Sequence, residues 1–137
     1  MTADWPATCL SSGGAHVYTL DTMSGVWVWQ GVLKAPVVLA SPTCGAAVAI
    51  AGDLVAVGCL GDKSPSTAVD VGETLDTGDF VGAAHAWRLD AANASASVRE
   101  GYLKAFAATN YQSLGTAVAA AANATHEVVA AASSNSI

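Results

Sequence analysis

An internal repeat constrains this chain more than any other feature. The segment Gly31–Ala35 (GVLKA) returns as Gly101–Ala105 (GYLKA), and Gly45–Ala51 (GAAVAIA) returns as Gly115–Ala121 (GTAVAAA). The two copies of each segment lie 70 positions apart. A repeat of this kind is one supersecondary unit that buries its apolar surface against its neighbours, so the repeat decides the architecture.

The segments around these landmarks alternate in polarity or carry β-branched and aromatic residues, which favours strands. Short turns rich in Gly, Asp and Ser separate them. We predict four strands per repeat, at 14–20, 26–33, 45–51, 54–58, 82–90, 98–103, 115–121 and 127–132. Residues 116–132 are rich in Ala, the best helix former. The matching stretch 46–58 contains Gly52 and Asp53 and would not make one good helix, so we predict strands in both copies.

Four antiparallel strands per unit are typical of a β-propeller blade. We therefore predict an all-β fold of antiparallel four-stranded blades, with an N-terminal loop at 1–12, a first repeat at 13–81 and a second repeat at 82–137. Closed propellers contain about 4–8 blades, so two blades form an incomplete ring. We expect the missing blades to come from the same gene, this chain being a fragment of a longer protein, or from self-association.

The composition excludes several classes of protein. Hydrophobic residues make up 53% of the 137 residues and charged residues 12%, a balance opposite to that of disordered chains. The net charge of −6 offers no basic surface, so we expect no nucleic-acid partner. No run of about 18 apolar residues is present, so we expect no membrane span. The N-terminus lacks the basic and apolar regions of a signal peptide.

Three cysteines, Cys9, Cys44 and Cys59, leave at least one thiol unpaired within the chain. Cys44 and Cys59 flank a predicted hairpin and could be diagonal neighbours. Free Cys behaves as a small buried hydrophobe. We favour buried free thiols and leave a Cys44–Cys59 bond open, so the redox compartment is undecided.

The order of these motifs resembles the FG-GAP repeats of integrin-α-like β-propellers, of the type without a calcium loop. The Phe-Gly position of that family corresponds to Cys44-Gly45 and Leu114-Gly115. The Gly-Ala-Pro position corresponds to Gly58–Leu60 and Ala132–Ser134, and the Gly-Ala-Tyr-Val-Phe position to Gly82–Trp87. The resemblance covers residues 13–133 and implies a recognition or adhesion scaffold, at the cell surface or outside the cell, that has no enzymatic activity.

The expected partner of such a scaffold is a protein or a carbohydrate, bound on loops such as 62–81. We expect no enzyme, because the chain has no Gly-x-Ser-x-Gly elbow, no His-Glu-x-x-His and no phosphate-binding Gly loop. Two alternatives stay open. The chain could be a purely structural repeat segment of a larger surface protein, or a fragment of a propeller-type hydrolase.

Several polar residues recur or lie in predicted loops. His16 and His85 occupy equivalent strand positions, which predicts a packing role, and His126 lies at a turn where we expect it to be solvated. Lys34 and Lys104 recur after Leu, and we expect their stems to cover the blade edge while the ammonium groups stay in water. Two glycosylation sequons begin at Asn93 and Asn123, so we expect a glycoprotein if the chain is exported.

Calcium binding is the cofactor question that the sequence raises. The loop Asp70–Asp79 carries four acids, but calcium takes six to eight oxygens and its loops place carboxylates at alternate positions. The spacing here is poor, so we expect no cofactor and no specific calcium site. Calorimetric titration with calcium should therefore give no binding heat. Binding heat together with a higher melting temperature would assign a calcium site to this loop instead.

Overall fold

A computed structural model describes residues 13–35 and 43–134. Within these ranges the chain forms antiparallel strands and one short 3-10 helix at Ala94–Ala96, which precedes β6. The strands are β1 Ala15–Asp21, β2 Val26–Leu33, β3 Cys44–Ala51, β4 Leu54–Cys59, β5 Ala83–Arg88, β6 Val98–Leu103, β7 Ala117–Ala122 and β8 Glu127–Ala132. The all-β prediction is confirmed, including the strands in the Ala-rich segment. The predicted loop at 1–12 lies outside the described residues.

The strands are arranged in three sheets. A four-stranded sheet has the order β3-β4-β5-β6, and β1-β2 and β7-β8 form one two-stranded sheet each. We call these the central sheet, the first half-sheet and the second half-sheet. The central sheet combines two strands from residues 13–81 with two from residues 82–137, so sheet and sequence repeat are offset by two strands. The described residues form no closed ring, and the propeller stays a prediction.

The backbone repeats as the sequence does. The β1–β2 register shifts between Val17 and Tyr18, and the β5–β6 register shifts at the corresponding pair, Ala86 and Trp87. An isolated parallel bridge joins Gly13 to Cys44, and its counterpart joins Gly82 to Leu114. The first half-sheet is therefore the structural counterpart of β5–β6, and the second half-sheet is the counterpart of β3–β4.

The core lies where the sheets meet. Strand β4 is buried along its whole length, because β3 and β5 flank it and β7 packs against β3 and β4. Its side chains join Leu33, Trp87 and Ala94 in one apolar cluster. A Cβ at Gly58 of β4 would overlap the carbonyl oxygen of Gly115. The small residues of the repeated motifs are thus required by the close approach of neighbouring backbones.

Cys44 and Cys59 form a disulfide between β3 and β4, so the expectation of free thiols was wrong. The register shift between Cys44 and Ala47 places the two cysteines directly opposite each other. Without that shift they would be offset along the hairpin, which is why their spacing suggested diagonal neighbours. Cys9 lies outside the described residues.

The close approach of the sheets can be tested at the repeated glycines. Gly115 has φ +93°, and a Cβ there would overlap the carbonyl oxygen of Ala83, whereas Gly25 has φ +72° with open space around it. Gly115→Ala should lower the free energy of unfolding by about 3 kcal/mol, through backbone strain and overpacking together. Gly25→Ala should cost about 1 kcal/mol, from strain alone. Urea unfolding measures both, and equal losses would contradict the close packing.

Candidate functional site

Because successive strands run antiparallel, the connections gather at two ends of the sheets. The connections 60–82 and 104–116 lie at one end, which we call the loop end. The β3–β4 turn and the connection 89–97 lie at the other, the turn end. There Arg88 of β5 is 2.7 Å from a carboxylate oxygen of Glu127 of β8, so the β7–β8 turn belongs to the turn end as well.

Asp62 anchors the long connection at the loop end. Its Oδ1 accepts hydrogen bonds from the Ser64 backbone N–H at 3.0 Å, the Tyr102 hydroxyl at 2.9 Å and Lys104 Nζ at 3.0 Å. Lys104 Nζ also donates to the carbonyl oxygen of Gly82 at 2.5 Å. One carboxylate thus ties the start of the connection to β6 and to the residues just after it.

Lys104 is buried, with no exposed side-chain surface. The expectation that its ammonium stays in water was therefore wrong, while Lys34 at the equivalent position is half-buried. Burial lowers the pKa of Lys104, and the charge of Asp62 opposes that shift. No local sequence pattern predicts this burial, because the covering segment comes from a connection more than 20 residues away along the chain.

Tyr102 lies at the centre of the buried polar residues. Its backbone N–H donates to Asp70 Oδ1 at 2.6 Å, and its carbonyl oxygen accepts from the Asp70 backbone N–H at 2.8 Å. Its ring lies 5.7 Å from Lys104 Nζ and 5.8 Å from the Arg99 guanidinium carbon. Burial raises the pKa of its hydroxyl. Asp70 therefore covers the outer edge of β6 and fixes the middle of the connection.

Glu73, Arg99 and His85 continue this network. Arg99 Nη1 donates to Glu73 Oε1 at 2.6 Å and lies 3.3 Å from His85 Nδ1. A guanidinium only donates, so Nδ1 accepts and the imidazole proton is on Nε2. Burial, followed by the charge of Arg99, lowers the pKa of His85 to about 4. His85 is therefore neutral near pH 7 and has the packing position predicted for it.

His16, the counterpart of His85 in the first repeat, accepts an equivalent hydrogen bond but is exposed to solvent. His16 Nδ1 accepts from Trp29 Nε1 at 3.2 Å, and Trp29 corresponds to Arg99 at the 70-residue offset. The imidazole of His16 is exposed, whereas that of His85 is buried. The same strand position therefore serves two environments. His126 is exposed at the β7–β8 turn, as predicted.

Cys44, Cys59 and His85 form the one group of three close metal-type ligands in the part of the chain that the structure describes. Both sulfurs are joined to each other in the disulfide. His85 offers no open lone pair, because Nδ1 accepts from Arg99 and Nε2 carries the proton. As arranged, the group packs a disulfide against a neutral imidazole.

The acids of the connection are spread over separate partners. Asp70 binds the Tyr102 backbone, Glu73 binds Arg99, and Asp76 lies 4.0 Å from Lys63. Each of these carboxylates holds a different part of the connection. The absence of a specific calcium site stays a prediction.

Two exposed aromatic rings stack on each other at the loop end. Phe80 and Tyr111 have ring centroids 6.2 Å apart and planes inclined by 19°, and they are 47% and 58% exposed. Phe80 has φ +48° and Tyr111 has φ +62°, a backbone conformation that bulky residues rarely adopt. The sequence pattern did not predict this pair. Its signal was two isolated aromatics in otherwise polar loops, after Asp79 and Asn110.

Backbone hydrogen bonds hold the aromatic pair in place. The Tyr111 N–H donates to the Asp79 carbonyl at 2.7 Å, and the Ser113 N–H donates to the Phe80 carbonyl at 2.7 Å. The Asp79 N–H donates to Asn110 Oδ1 at 3.0 Å. These bonds form one ladder between the two connections, at the residues that carry and flank the rings.

Both glycosylation sequons lie at the turn end. Asn93 is exposed next to the 3-10 helix. Asn123 is exposed in the β7–β8 turn, where its Oδ1 accepts from the Thr125 N–H, the Thr125 hydroxyl and the His126 N–H. Modification of these residues stays a prediction, but a glycan at either would project from the end opposite the aromatic pair.

No family model matches the chain, and no curated protein or solved structure matches it. Among residues 13–35 and 43–134 there is no helix long and apolar enough to cross a membrane. What the molecule does must therefore be argued from the geometry of its two ends.

The low pKa of His85 predicts a loss of stability in acid. Between its unfolded value of about 6.5 and its folded value of about 4, the unfolded state binds more protons. Stability should therefore fall as the pH drops through this window, by at most about 3 kcal/mol. His85→Gln keeps an acceptor for Arg99 without titrating, so this part of the decline should disappear in urea unfolding measured across the window.

The matched control for this measurement is His16→Gln, which changes the exposed imidazole at the equivalent strand position. We expect its acid-dependent loss of stability to follow that of the unmodified chain. Identical pH profiles for the His85 and His16 variants would show that burial of His85 does not create the effect.

Proposed function

We propose that this chain is a non-catalytic recognition scaffold at the cell surface or outside the cell, part of an FG-GAP-type β-propeller that binds a protein or a carbohydrate at its loop end. The observation that carries this proposal is the exposed, stacked pair Phe80 and Tyr111, held at positive φ by a backbone ladder.

Exposing these two rings has an energetic cost that the fold has to offset. Two large aromatic side chains side by side form an apolar surface of the kind that marks interaction sites. Bulky residues at positive φ cost on the order of 1–3 kcal/mol each. The ladder between the two connections, including the Ser113–Phe80 bond of 2.7 Å, supports that conformation. A surface on which the fold maintains strained, exposed aromatics is the strongest candidate for ligand contact.

The connection 60–82, which carries Phe80, supports the proposal because it is preorganised. Asp62 and Asp70 tie residues 62–70 to β6 through direct hydrogen bonds, and Glu73 continues the attachment through Arg99. A binding surface that is already ordered loses less conformational entropy when a ligand arrives. The anchors therefore favour a recognition role over that of an unconstrained linker.

The buried polar groups favour a non-catalytic role for the chain. Lys104 and His85 are the residues whose chemistry most suggests catalysis, and both are buried and engaged in hydrogen bonds. A nucleophile or general base must be able to reach its substrate. These two groups instead hold Asp62 and Arg99, which positions the connection.

The disulfide and the sequons support the extracellular part of the proposal. Disulfides persist mainly in oxidising compartments, and the Cys44–Cys59 bond joins the first hairpin of the central sheet. Glycans on Asn93 or Asn123 at the turn end would leave the loop end open to a ligand.

Binding assays on arrays of glycans and of extracellular proteins test the proposal and separate the two ligand classes. Phe80→Ala and Tyr111→Ala should each weaken binding at least about tenfold, equivalent to about 1.4 kcal/mol. The matched control is Phe106→Ala, because Phe106 lies in the same connection as Tyr111, is 95% exposed and is outside the stacked pair. Its binding should be unchanged.

Two outcomes would contradict the proposal. No binding on either array would favour a purely structural repeat segment. Binding that survives both Phe80→Ala and Tyr111→Ala would place the ligand elsewhere on the surface. Circular dichroism of each variant checks that a loss of binding is not a loss of folding.

A further inference from the structure

Each half-sheet corresponds to one half of the four-stranded central sheet, and the two halves are different. The second half-sheet is the counterpart of β3–β4, and the first half-sheet is the counterpart of β5–β6. In the central sheet β4 pairs with β5, whereas the outer edges of β8 and β1 have no strand beside them in the described residues. We propose that β8 of one copy of this chain pairs antiparallel with β1 of a second copy. The contact completes a four-stranded sheet, β7-β8-β1-β2, shared by two chains. This inference is independent of the proposed ligand.

The central sheet specifies the register of this contact. Ala56 of β4 lies opposite Ala86 of β5. Their counterparts are Ala130 of β8 and Val17 of β1, which should therefore lie opposite each other across the two copies. The same correspondence places Val129 opposite Tyr18 and Ala131 opposite His16.

Among the residues that the structure describes, the two open edges lack the features that prevent strand addition. Natural sheets protect edge strands with Lys, Pro, inward charges or a covering segment. Strand β1 (AHVYTLD) and strand β8 (EVVAAA) contain no Lys, Arg or Pro, and their charged residues are confined to the strand ends. The outer edge of β6, by contrast, is covered by the backbone pairing of Asp70 with Tyr102. Within residues 13–35 and 43–134, the fold therefore covers the edge of β6 and leaves the edges of β1 and β8 available.

The first half-sheet exposes apolar side chains on both faces. Val26, Trp27, Val28 and Trp29 are consecutive and all exposed, with Trp27 at 65%. Neighbouring side chains of a strand point to opposite faces, so neither face at this end of β2 is covered. A two-stranded sheet is marginally stable alone. Pairing with β8 of a second copy would place this half-sheet where β5–β6 lies in the central sheet, in which Trp87 and Tyr102, the counterparts of Tyr18 and Val32, are buried.

The charged residues at the ends of β1 and β8 do not oppose the contact. Continuing the register to the turn end places His126 of one copy opposite Asp21 of the other. Glu127, the remaining charge of β8, is already paired with Arg88 of its own chain. The contact therefore brings together no like charges.

The surfaces on β1 and β8 differ, so copies would join head to tail. Such contacts close into rings when the rotation between copies allows it. Each chain supplies strands for two four-stranded sheets, and a closed propeller of about 4–8 blades would take two, three or four copies.

The experiment combines a mass measurement with cross-linking between two differently tagged copies of the full chain. Light scattering after size exclusion measures the mass of the unmodified protein. For cross-linking, Val17→Cys in one copy is mixed with Ala130→Cys in the other, both in a Cys9→Ser background, and oxidised mildly. A product carrying both tags necessarily joins two chains.

The matched control replaces Ala130→Cys with Val129→Cys, because a shift of one residue turns the thiol to the opposite face of the sheet. His16→Cys with Ala131→Cys is a second pair in the same register, in case Val17→Cys disturbs folding.

We expect a mass of two to four chains and a yield of the Val17–Ala130 product several-fold above that of Val17–Val129. A monomeric mass at every concentration would overturn the proposal and leave both edges to strands of another protein. Association with equal yields for matched and shifted pairs would also overturn it, since the copies would then meet through another surface.

Discussion

The close approach of neighbouring backbones is the constraint on which the rest of this structure depends. At Gly58 the central sheet meets the segment that leads into β7 with no room for a side chain, because a Cβ there would overlap the carbonyl oxygen of Gly115. The strands around this contact are rich in Ala, Gly and Val. Their small side chains let β7 pack on β3 and β4, which buries β4 and creates the apolar core. The repeated motif is therefore a packing frame, and recognition is left to the connections.

The buried ion pair between Lys104 and Asp62 determines how the longest connection lies on that frame. Removing these charges from water is costly, and a buried pair by itself is weak evidence for stability. Its effect here is geometric, because Asp62 also accepts from the Tyr102 hydroxyl and the Ser64 backbone. Asp70 and Glu73 add further attachments on the same side. The connection is thereby held against β6, and the Phe80–Tyr111 pair lies on an ordered base.

The two ends and the two edges of the molecule have separate chemistry. The loop end contains the stacked aromatics and a buried polar network, while the turn end carries Arg88 among the carboxylates of Asp53, Glu100 and Glu127, together with both sequons. The open edges of β1 and β8 lie along the sides of the half-sheets and carry charged residues only at the strand ends. Ligand binding and self-association would thus use separate surfaces, whereas the Asn123 sequon adjoins His126 at the turn end of the proposed contact.

The sequence by itself determined the strands and their repetition. Alternating polarity and turn residues are local signals. The helical propensity of residues 116–132 was outweighed by their match to the strands of the first repeat, and these residues form β7 and β8. It did not reveal that Cys44 and Cys59 are bonded, because a two-residue register shift within the hairpin sets that pairing. Nor did it reveal the burial of Lys104 or the stacking of Phe80 on Tyr111, since both depend on connections distant in sequence. The tertiary structure also decided that the central sheet combines strands from both repeats. Periodicity is a local property of the sequence, whereas register shifts and contacts between connections arise only when the strands pack together.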